Sequence, residues 1–328
     1  MIKDLERAAQ ALREASSVVV TVHTQPDGDA LGSLLAMSRY LLKAGKSVCA
    51  TWGEQIKIPS HYKWLPGIDI IVDAAKCSAA DILLVLDCAN AQRLGTLEDK
   101  LSSFKTIINI DHHVDNSGFG AINVLDFKAG ATCEIVYKLL RLLGADIDHD
   151  MAIQLYTGIV TDTGRFQYQN TTAETLKIAA DLIDLGATPS RVFEQVYENI
   201  SFCSLKLLAR ILERATFVED TRLIYSYIRD SDLKQLGASM ADTEVFIDYL
   251  RTAKEANVVA ILKETPEGKY RISLRSKGTI DVGAIARSGG GGGHRNAAGL
   301  TLDKTIEEAV EWINEKIKAQ RPASSVTT

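Results

Sequence analysis

The sequence predicts an α/β fold in two domains, a parallel-sheet amino-terminal domain and a smaller α/β carboxy-terminal one. Three observations carry this. The first half alternates short β-rich runs with longer helical patterns, the mark of a parallel sheet. Those runs are apolar throughout rather than alternating, so they read as strands covered on both faces. The length, 328 residues, exceeds a typical single core.

The elements follow in order. "MIKDLERAAQALREA" reads as a charged amphipathic helix rather than a signal peptide. "SSVVVTV" is a strand, followed by the helix-like "ALGSLLAMSRYLLKAG". "KSVCATW", "IDIIVD", "DILLVLD" and "KTIINID" read as further strands. From about Ala131 the pattern turns helical through "ATCEIVYKLLRLLGA", "DMAIQLYTGIVTD", "AETLKIAADLIDLGA" and "SRVFEQVYENIS", with Gly144 and Gly186 where C-terminal caps fall. "SFCSLKLLARILERAT" bridges to a second unit. There "RLIYSYIRD", "ANVVAILKE" and "KYRISLRS" read as strands, the last two joined by the hairpin turn "TPEGK". "TEVFIDYLRTAKEA" and "TIEEAVEWINEKIKAQ" read as helices, and the tail "RPASSVTT" is expected to fray. The expected boundaries are 1–195 for a catalytic metal-binding domain, 196–214 for a linker helix and 215–328 for a substrate-binding domain.

Composition narrows the function. A net charge of -5 argues against coating long nucleic acid with a basic surface, though not against a local basic pocket. No run approaches the roughly 20 apolar residues that span a bilayer. The five cysteines are scattered singly with no CxxC pair, so neither a disulfide framework nor a thiolate zinc site is signalled, and a reducing cytoplasm is the expected compartment.

Several apolar segments end in acids or imidazoles. The first strand runs into His23, with Asp27 and Asp29 in the turn "HTQPDGDALGS". "ILLVLD" ends at Asp87, and "TIINI" runs into Asp111, His112 and His113. Asp162 in "GIVTDTGRF" follows an apolar helical stretch. In an open parallel sheet the carboxyl ends of the strands line one edge, where ligands bind. A single Asp after a strand is better explained as a turn residue or helix cap; Asp27 would shape a turn and Asp29 could cap the helix starting at Ala30. A lone histidine is likewise usually structural. The set changes the odds, because three of the six histidines fall at these strand ends. Adjacent buried imidazoles beside an Asp are costly without strong partners. Carboxylates with imidazoles and no thiolates suit Mn²⁺ or Mg²⁺. So many acids at one rim would repel one another unless about two divalent cations neutralised them, the usual arrangement for attack on phosphorus.

These motifs carry a resemblance. "HTQPDGDALGS", "VLDCAN", "NIDHHVDN" and "GIVTDTGRF" resemble, in order, the four motifs of the DHH phosphoesterase superfamily. "SLRSK" followed by "GGGGHRNAAG" resembles the signature of the associated DHHA1 domain. Length and layout are most similar to the small NrnA-type oligoribonucleases (nanoRNases), which often also dephosphorylate 3′-phosphoadenosine 5′-phosphate. The resemblance implies a DHH domain and a DHHA1 domain with an active-site cleft between them. It also implies Mn²⁺-dependent phosphoester hydrolysis with two ions per site, Mg²⁺ or Co²⁺ being the substitutes. Short oligoribonucleotides and 3′-phosphorylated nucleotides are the implied partners, without a membrane and with a homodimer left open. His23 and Asp27 correspond to ligands of one ion, and Asp29, His112 and Asp162 to ligands of the other. Asp87 bridges, His113 contacts the phosphate, and Asp111 orients the triplet. Where relatives often carry an aromatic before the four glycines, this chain has Gly289.

The glycine run has its own physical reading. Gly291, Gly292 and Gly293 let the backbone approach a ligand and expose amides to an anion. Arg275, Ser276 and His294 are the side chains expected to grip a phosphate there. The plain alternative, a flexible linker, fits less well, because the run lies between patterned segments inside a domain. A nucleotide P-loop fits poorly, since no GK[ST] follows. Arg271, Arg287 and Arg295 read as solvated surface, Arg93 as a surface ion pair, Arg165 as undecided, and His61 and His149 as structural or exposed. Competing functions are a dedicated 3′-nucleotide phosphatase, a pyrophosphatase-like hydrolase, and a non-catalytic nucleotide- or RNA-binding module.

Overall fold

The computed structural model describes residues 2–199, 201–243 and 246–321. The chain divides into two compact units, Met1–Glu198 and Asn199–Thr328. The tail from Pro322 onward, expected to fray, lies outside the described residues.

In the first unit the elements run α1 (Ile2–Glu14), β1 (Ser17–Val22), α2 (Gly28–Lys43), β2 (Ser47–Trp52), β3 (Ile82–Leu86), β4 (Thr106–Asp111) and β5 (Ile122–Leu125). Helices α3 (Thr132–Leu142), α4 (His149–Asp162), α5 (Ala173–Asp184) and α6 (Pro189–Tyr197) follow. The sheet has the order β2-β1-β3-β4-β5, with every pairing parallel. Val18, Val20 and Val22 of β1 point into the core shared with α1 to α4, and Val19 joins Leu83, Val85, Leu94 and Leu97 on the opposite face. Both faces are covered, which is why the strands read as continuous apolar runs.

The sheet's carboxyl edge acquires a further wall because α2 and α4 pack unusually close. A Cβ on Gly32 would lie 2.4 Å from the carbonyl oxygen of Gln154, and one on Gly158 would lie 3.0 Å from the Asp29 Cα of α2 and 2.3 Å from Cys133 Sγ of α3. Only glycine fits at these two positions, and the close approach brings the end of α4, with Asp162, to the strand ends.

Three expectations are corrected here. "IDIIVD" is not a strand: Gly67 adopts a left-handed conformation at φ 74° and starts a 3₁₀ turn over Ile68–Ile70, leaving only Ile71 to bridge Ala50. Strand β5 falls where no strand is expected; its four residues are too short to show a period. Cys49 on β2 and Cys77, separated by 28 residues, form a disulfide that no sequence spacing announced. The expected caps at Gly144 and Gly186 do form, at φ 74° and 105°.

The second unit contains α7 (Phe202–Glu213), β6 (Thr216–Val218), β7 (Leu223–Ile228), α8 (Asp230–Leu236), α9 (Phe246–Arg251), β8 (Val258–Glu264) and β9 (Tyr270–Ser276). It closes with α10 (Val282–Ser288), β10 (Gly292–His294), β11 (Ala297–Leu302) and α11 (Ile306–Ala319). Residues 244 and 245 of the expected helix "TEVFIDYLRTAKEA" lie outside the described residues. The mixed sheet runs β10-β11-β9-β8-β7-β6, with β7–β8 parallel. Val258, Ala260 and Leu262 face α10 and α11, while Val259 and Ile261 face α7 and α9, the two-residue period of a strand between two layers. Hairpin β8–β9 closes at "TPEGK" as expected. The glycine run is ordered: Gly290 and Gly291 close the end of α10 by donating to Arg287 and Ala286, and Gly292–His294 pair with Ala297–Gly299. A Cβ on Gly289 would lie 2.6 Å from Leu300 Cδ1 and 3.0 Å from the Trp312 ring, so Trp312 of α11 fills the space an aromatic at 289 would need. Among the described residues, no helix is long and apolar enough to cross a membrane.

Candidate active site

The carboxyl ends of β1, β3 and β4 bring together what the sequence holds far apart. His23 follows β1, Asp87 follows β3, and Asp111 ends β4 with His112 and His113 next. All five are buried, as is Asp29 in the first turn of α2. Asp87 sits at φ 54°, a left-handed conformation that Asp tolerates better than most residues. Its N–H still donates to Ile110, so the bend turns the carboxylate inward without breaking the ladder.

The distances define a cluster. His23 Nε2 lies 3.5 Å from Asp87 Oδ2. His112 Nε2 lies 3.7 Å from Asp87 Oδ1, 3.9 Å from Asp29 Oδ2 and 3.3 Å from Asp162 Oδ2. Ligand atoms of His23, Asp27 and Asp87 all fall within 4.8 Å of one another, and so do those of Asp29, Asp87 and His112. Asp87 belongs to both groups. Asp27 is exposed and also caps α2, accepting from the amides of Asp29 and Ala30.

Each imidazole is oriented by its other nitrogen. Nδ1–H of His23 donates to the Thr24 carbonyl at 2.7 Å, and Nδ1–H of His112 donates to the Ala129 carbonyl at 3.1 Å. Both Nε2 atoms are thereby directed at the carboxylates, the arrangement that metal-binding imidazoles use. Asp29 does not cap its own helix. It accepts from the amides of Thr132 at 2.6 Å and Cys133 at 2.9 Å, at the start of α3, whose N-cap residue Ala131 has no side chain to offer. Thr132 Oγ1 donates to Asp87 at 3.1 Å.

The electrostatics follow from packing acids together. Burial raises Asp162 to about 7, helped by Asp27 and Asp87. Burial and the Asp87 and Asp162 charges hold Asp29 well above its ordinary range. Burial alone would lower His112, but Asp162, Asp29 and Asp87 outweigh it and hold the imidazole at about 10. Asp87 is lowered despite burial, because His23, His113 and His112 surround it. Asp162 Oδ2 is buried and makes no hydrogen bond. Oxygen and imidazole donors, inward-facing Nε2 atoms and an unsatisfied carboxylate oxygen together fit hard divalent cations.

His113 has a different setting. Its Nδ1–H donates to Asp111 at 2.7 Å, while Asp111 Oδ2 accepts from Asn116 at 2.6 Å. Burial lowers its pKa, but the hydrogen bond and charge of Asp111 prevail and hold it at about 9. Asn116 also donates to Asn109 at 2.8 Å, so one amide braces the Asp111–His113 pair. Asn116 lies inside the quoted stretch "NIDHHVDN", where its position was a usable signal. Thr132 and the α3 amides carried none.

In the second unit, Arg275 and Ser276 end β9 and register with Ala297 on β11 and Val258 on β8 respectively. Arg275 donates through Nη1 to its neighbour's carbonyl at 3.0 Å, while its Nε is buried without a hydrogen bond. The Ser276 hydroxyl is engaged by Arg295 O and Asn296 Oδ1 at 3.3 and 3.2 Å, holding the turn before β11. Gly291 approaches Gly299 O so closely that a Cβ would lie 2.2 Å away, Gly292 borders open space, and Gly293 and His294 pair with Ala298 and Ala297.

Comparison with known proteins places these features in context. Residues 17–159 match the DHH family, N-terminal domain, and residues 220–320 match the DHHA1 domain. A bifunctional oligoribonuclease and PAP phosphatase NrnA of Thermus thermophilus is 31% identical over 307 residues, covering 92% of this chain and 90% of that protein. The crystal structure of an exopolyphosphatase-related protein from Bacteroides fragilis superimposes with a TM-score of 0.90 at 26% identity, covering 97% of this chain and 96% of that one. RecJ of Thermus thermophilus, solved in complex with Mn²⁺, shares the fold with a TM-score of 0.58 at 18% identity, covering 98% of this chain and 55% of that one.

Proposed function

Since this chain belongs to the DHH family and carries a DHHA1 domain, and is thus a phosphoesterase, we propose that it hydrolyses short oligoribonucleotides to mononucleotides and 3′-phosphoadenosine 5′-phosphate to AMP. The observation that carries the reading is that Asp87 lies both in the group with His23 and Asp27 and in the group with Asp29 and His112. His23, Asp27 and Asp87 would hold one divalent cation, and Asp29, His112, Asp162 and Asp87 a second. Carboxylate and imidazole donors favour Mn²⁺, with Mg²⁺ or Co²⁺ as substitutes. When bound, such a pair acidifies water and offsets charge developing on phosphoryl oxygens.

The chain's own groups do the rest. A water oxygen attacks phosphorus and gives up a proton to solvent, the ester P–O bond breaks, and the departing oxygen takes up a proton. His113, whose Nδ1–H is held by Asp111, is the proposed donor of that proton through Nε2. Arg275, His294 and the Gly291–Gly293 segment, whose missing side chains let a ligand approach, are the proposed grip on a terminal phosphate or ribose; the Gly291 amide itself is already given to Ala286, and the unsatisfied Arg275 Nε is a donor suited to an anion. Ser276 supports this wall through Arg295 and Asn296. The 3′-nucleotide phosphatase reading uses the same chemistry, and the bifunctional name of the Thermus relative supports including it.

A substrate panel with purified protein and Mn²⁺ tests the proposal: di- to pentaribonucleotides, 3′-phosphoadenosine 5′-phosphate and pyrophosphate. Mononucleotide and AMP release that stops in chelator is expected. Full activity in excess chelator, or turnover of pyrophosphate alone, overturns it.

A further inference from the structure

One buried carboxylate in the first unit lies outside the cluster. Glu134, on the first turn of α3, is 1% exposed. Its Oε1 accepts from the Gly130 amide at 2.9 Å and from the Thr175 hydroxyl at 2.7 Å. Thr175 belongs to the reciprocal cap of α5, accepting in turn from the Thr172 amide at 3.0 Å. Glu134 therefore ties the turn before α3 to the start of α5.

That turn is where the cluster is held. Ala129 accepts from His112, the Thr132 and Cys133 amides donate to Asp29, and the Thr132 hydroxyl donates to Asp87. The Gly130 carbonyl accepts from Asn170 Nδ2 at 2.9 Å, and the same amide donates to the Asp162 carbonyl at 3.1 Å. Residues 129–133 thus touch three cluster side chains directly and reach the backbone of Asp162 through one amide. A shift of this turn would move Asp29, His112 and Asp87 together, and would change their spacing to Asp162.

We propose that Glu134 is a positioning residue for the metal cluster, fixing the 129–133 turn through Gly130 and Thr175 so that the carboxylates and imidazoles keep the spacing that cations require. The proposal rests on the reading of the cluster as a metal centre. What matters is Oε1 as an acceptor, and a neutral amide supplies an equivalent oxygen. Side chains that orient metal ligands commonly contribute about 10–100-fold to metal affinity.

The test is a Mn²⁺ titration by calorimetry on wild type, E134A and E134Q, with the melting temperature of each metal-free protein measured alongside. E134A is expected to weaken Mn²⁺ binding by about 10–100-fold, with saturating Mn²⁺ recovering most of kcat. E134Q is expected to bind like wild type. Should E134A fail to fold, T175V removes one of the two donors from Glu134 with little change in volume, and a weaker version of the same loss is expected. Unchanged Mn²⁺ affinity in E134A or T175V, with only the melting temperature lowered, overturns the inference, as does an E134Q as weak as E134A. Failure of the wild type itself to bind Mn²⁺ or Mg²⁺ would instead remove the metal-centre reading on which the inference stands.

Discussion

Buried aspartates in the two units are completed in opposite ways. In the second unit, Asp232 accepts from both Nη atoms of Arg214 and from Arg210 at 3.1 Å, and also from the Arg229 amide. Two guanidinium groups and a backbone donor answer its charge, and Arg214 leads in holding its carboxyl at about 2. In the first unit, the ionic neighbours of buried Asp29 and Asp87, and of half-buried Asp162 beside them, are imidazoles. An imidazole can give its proton up and become a ligand, whereas a guanidinium cannot. The first arrangement is finished by the chain itself. The second leaves a charge balance that a cation is suited to complete, which separates a structural acid from a functional one more cleanly than burial does.

The largest effect that would break this comparison concerns Asp87. D87N is expected to lower kcat by about 10²–10³-fold, the scale of losing a group that stabilises developing charge. D232N, assayed where both proteins remain folded, should stay within about threefold of wild type, since its carboxylate belongs to a closed ion-pair network. Comparable activity in the two variants would dissolve the distinction.

The disulfide offers a second separation of the units, because Cys49 and Cys77 both lie in the first. Closing a loop of this length is worth about 3–4 kcal/mol in the chain-entropy picture. Reductant should therefore speed hydrogen exchange of amides in β1 and β3 while leaving β8 and β9 unchanged. Equal acceleration in both sheets would mean that the units do not respond independently.

How much of this was legible in the sequence depends on how local each cause is. The strands of the first sheet show because both faces are buried, so each reads as an apolar run on its own. The acids and histidines show because each follows such a run. The 3₁₀ turn at Ile68–Ile70 misleads, since the same apolar residues serve either structure and the choice falls to Gly67 and the short reach of the β2 edge. What fixes the cluster is non-local: the α3 amides that hold Asp29 come from 103 and 104 residues away, and Thr175 meets Glu134 across 41. Nothing in the local pattern around Ala131 says that its missing cap is supplied by Asp29. The cysteine pair and the Trp312 ring that excludes a side chain at Gly289 are hidden for the same reason.

The smallest effect discriminates most sharply, because one substitution is expected to act with opposite sign in the two units. Asp162 is raised from the ordinary 3.8 to about 7. The folded state therefore holds its proton more tightly than the unfolded chain. Its contribution is most favourable below about pH 4 and is lost as pH rises towards 7. At pH 8 the charged carboxylate burdens the metal-free fold, so D162N should raise its stability by about 1–3 kcal/mol. Asp232 is lowered from 3.8 to about 2, so its contribution is present above about pH 4 and disappears as pH falls through 2. At pH 8, D232N should lower stability by about 1–3 kcal/mol. Melting temperatures in chelator check both signs. Adding Mn²⁺ should then reverse the ranking of wild type and D162N, since a cation that binds only the folded state stabilises the chain that retains the ligand. A D162N that melts below wild type in chelator would show that the cluster is already balanced without a cation.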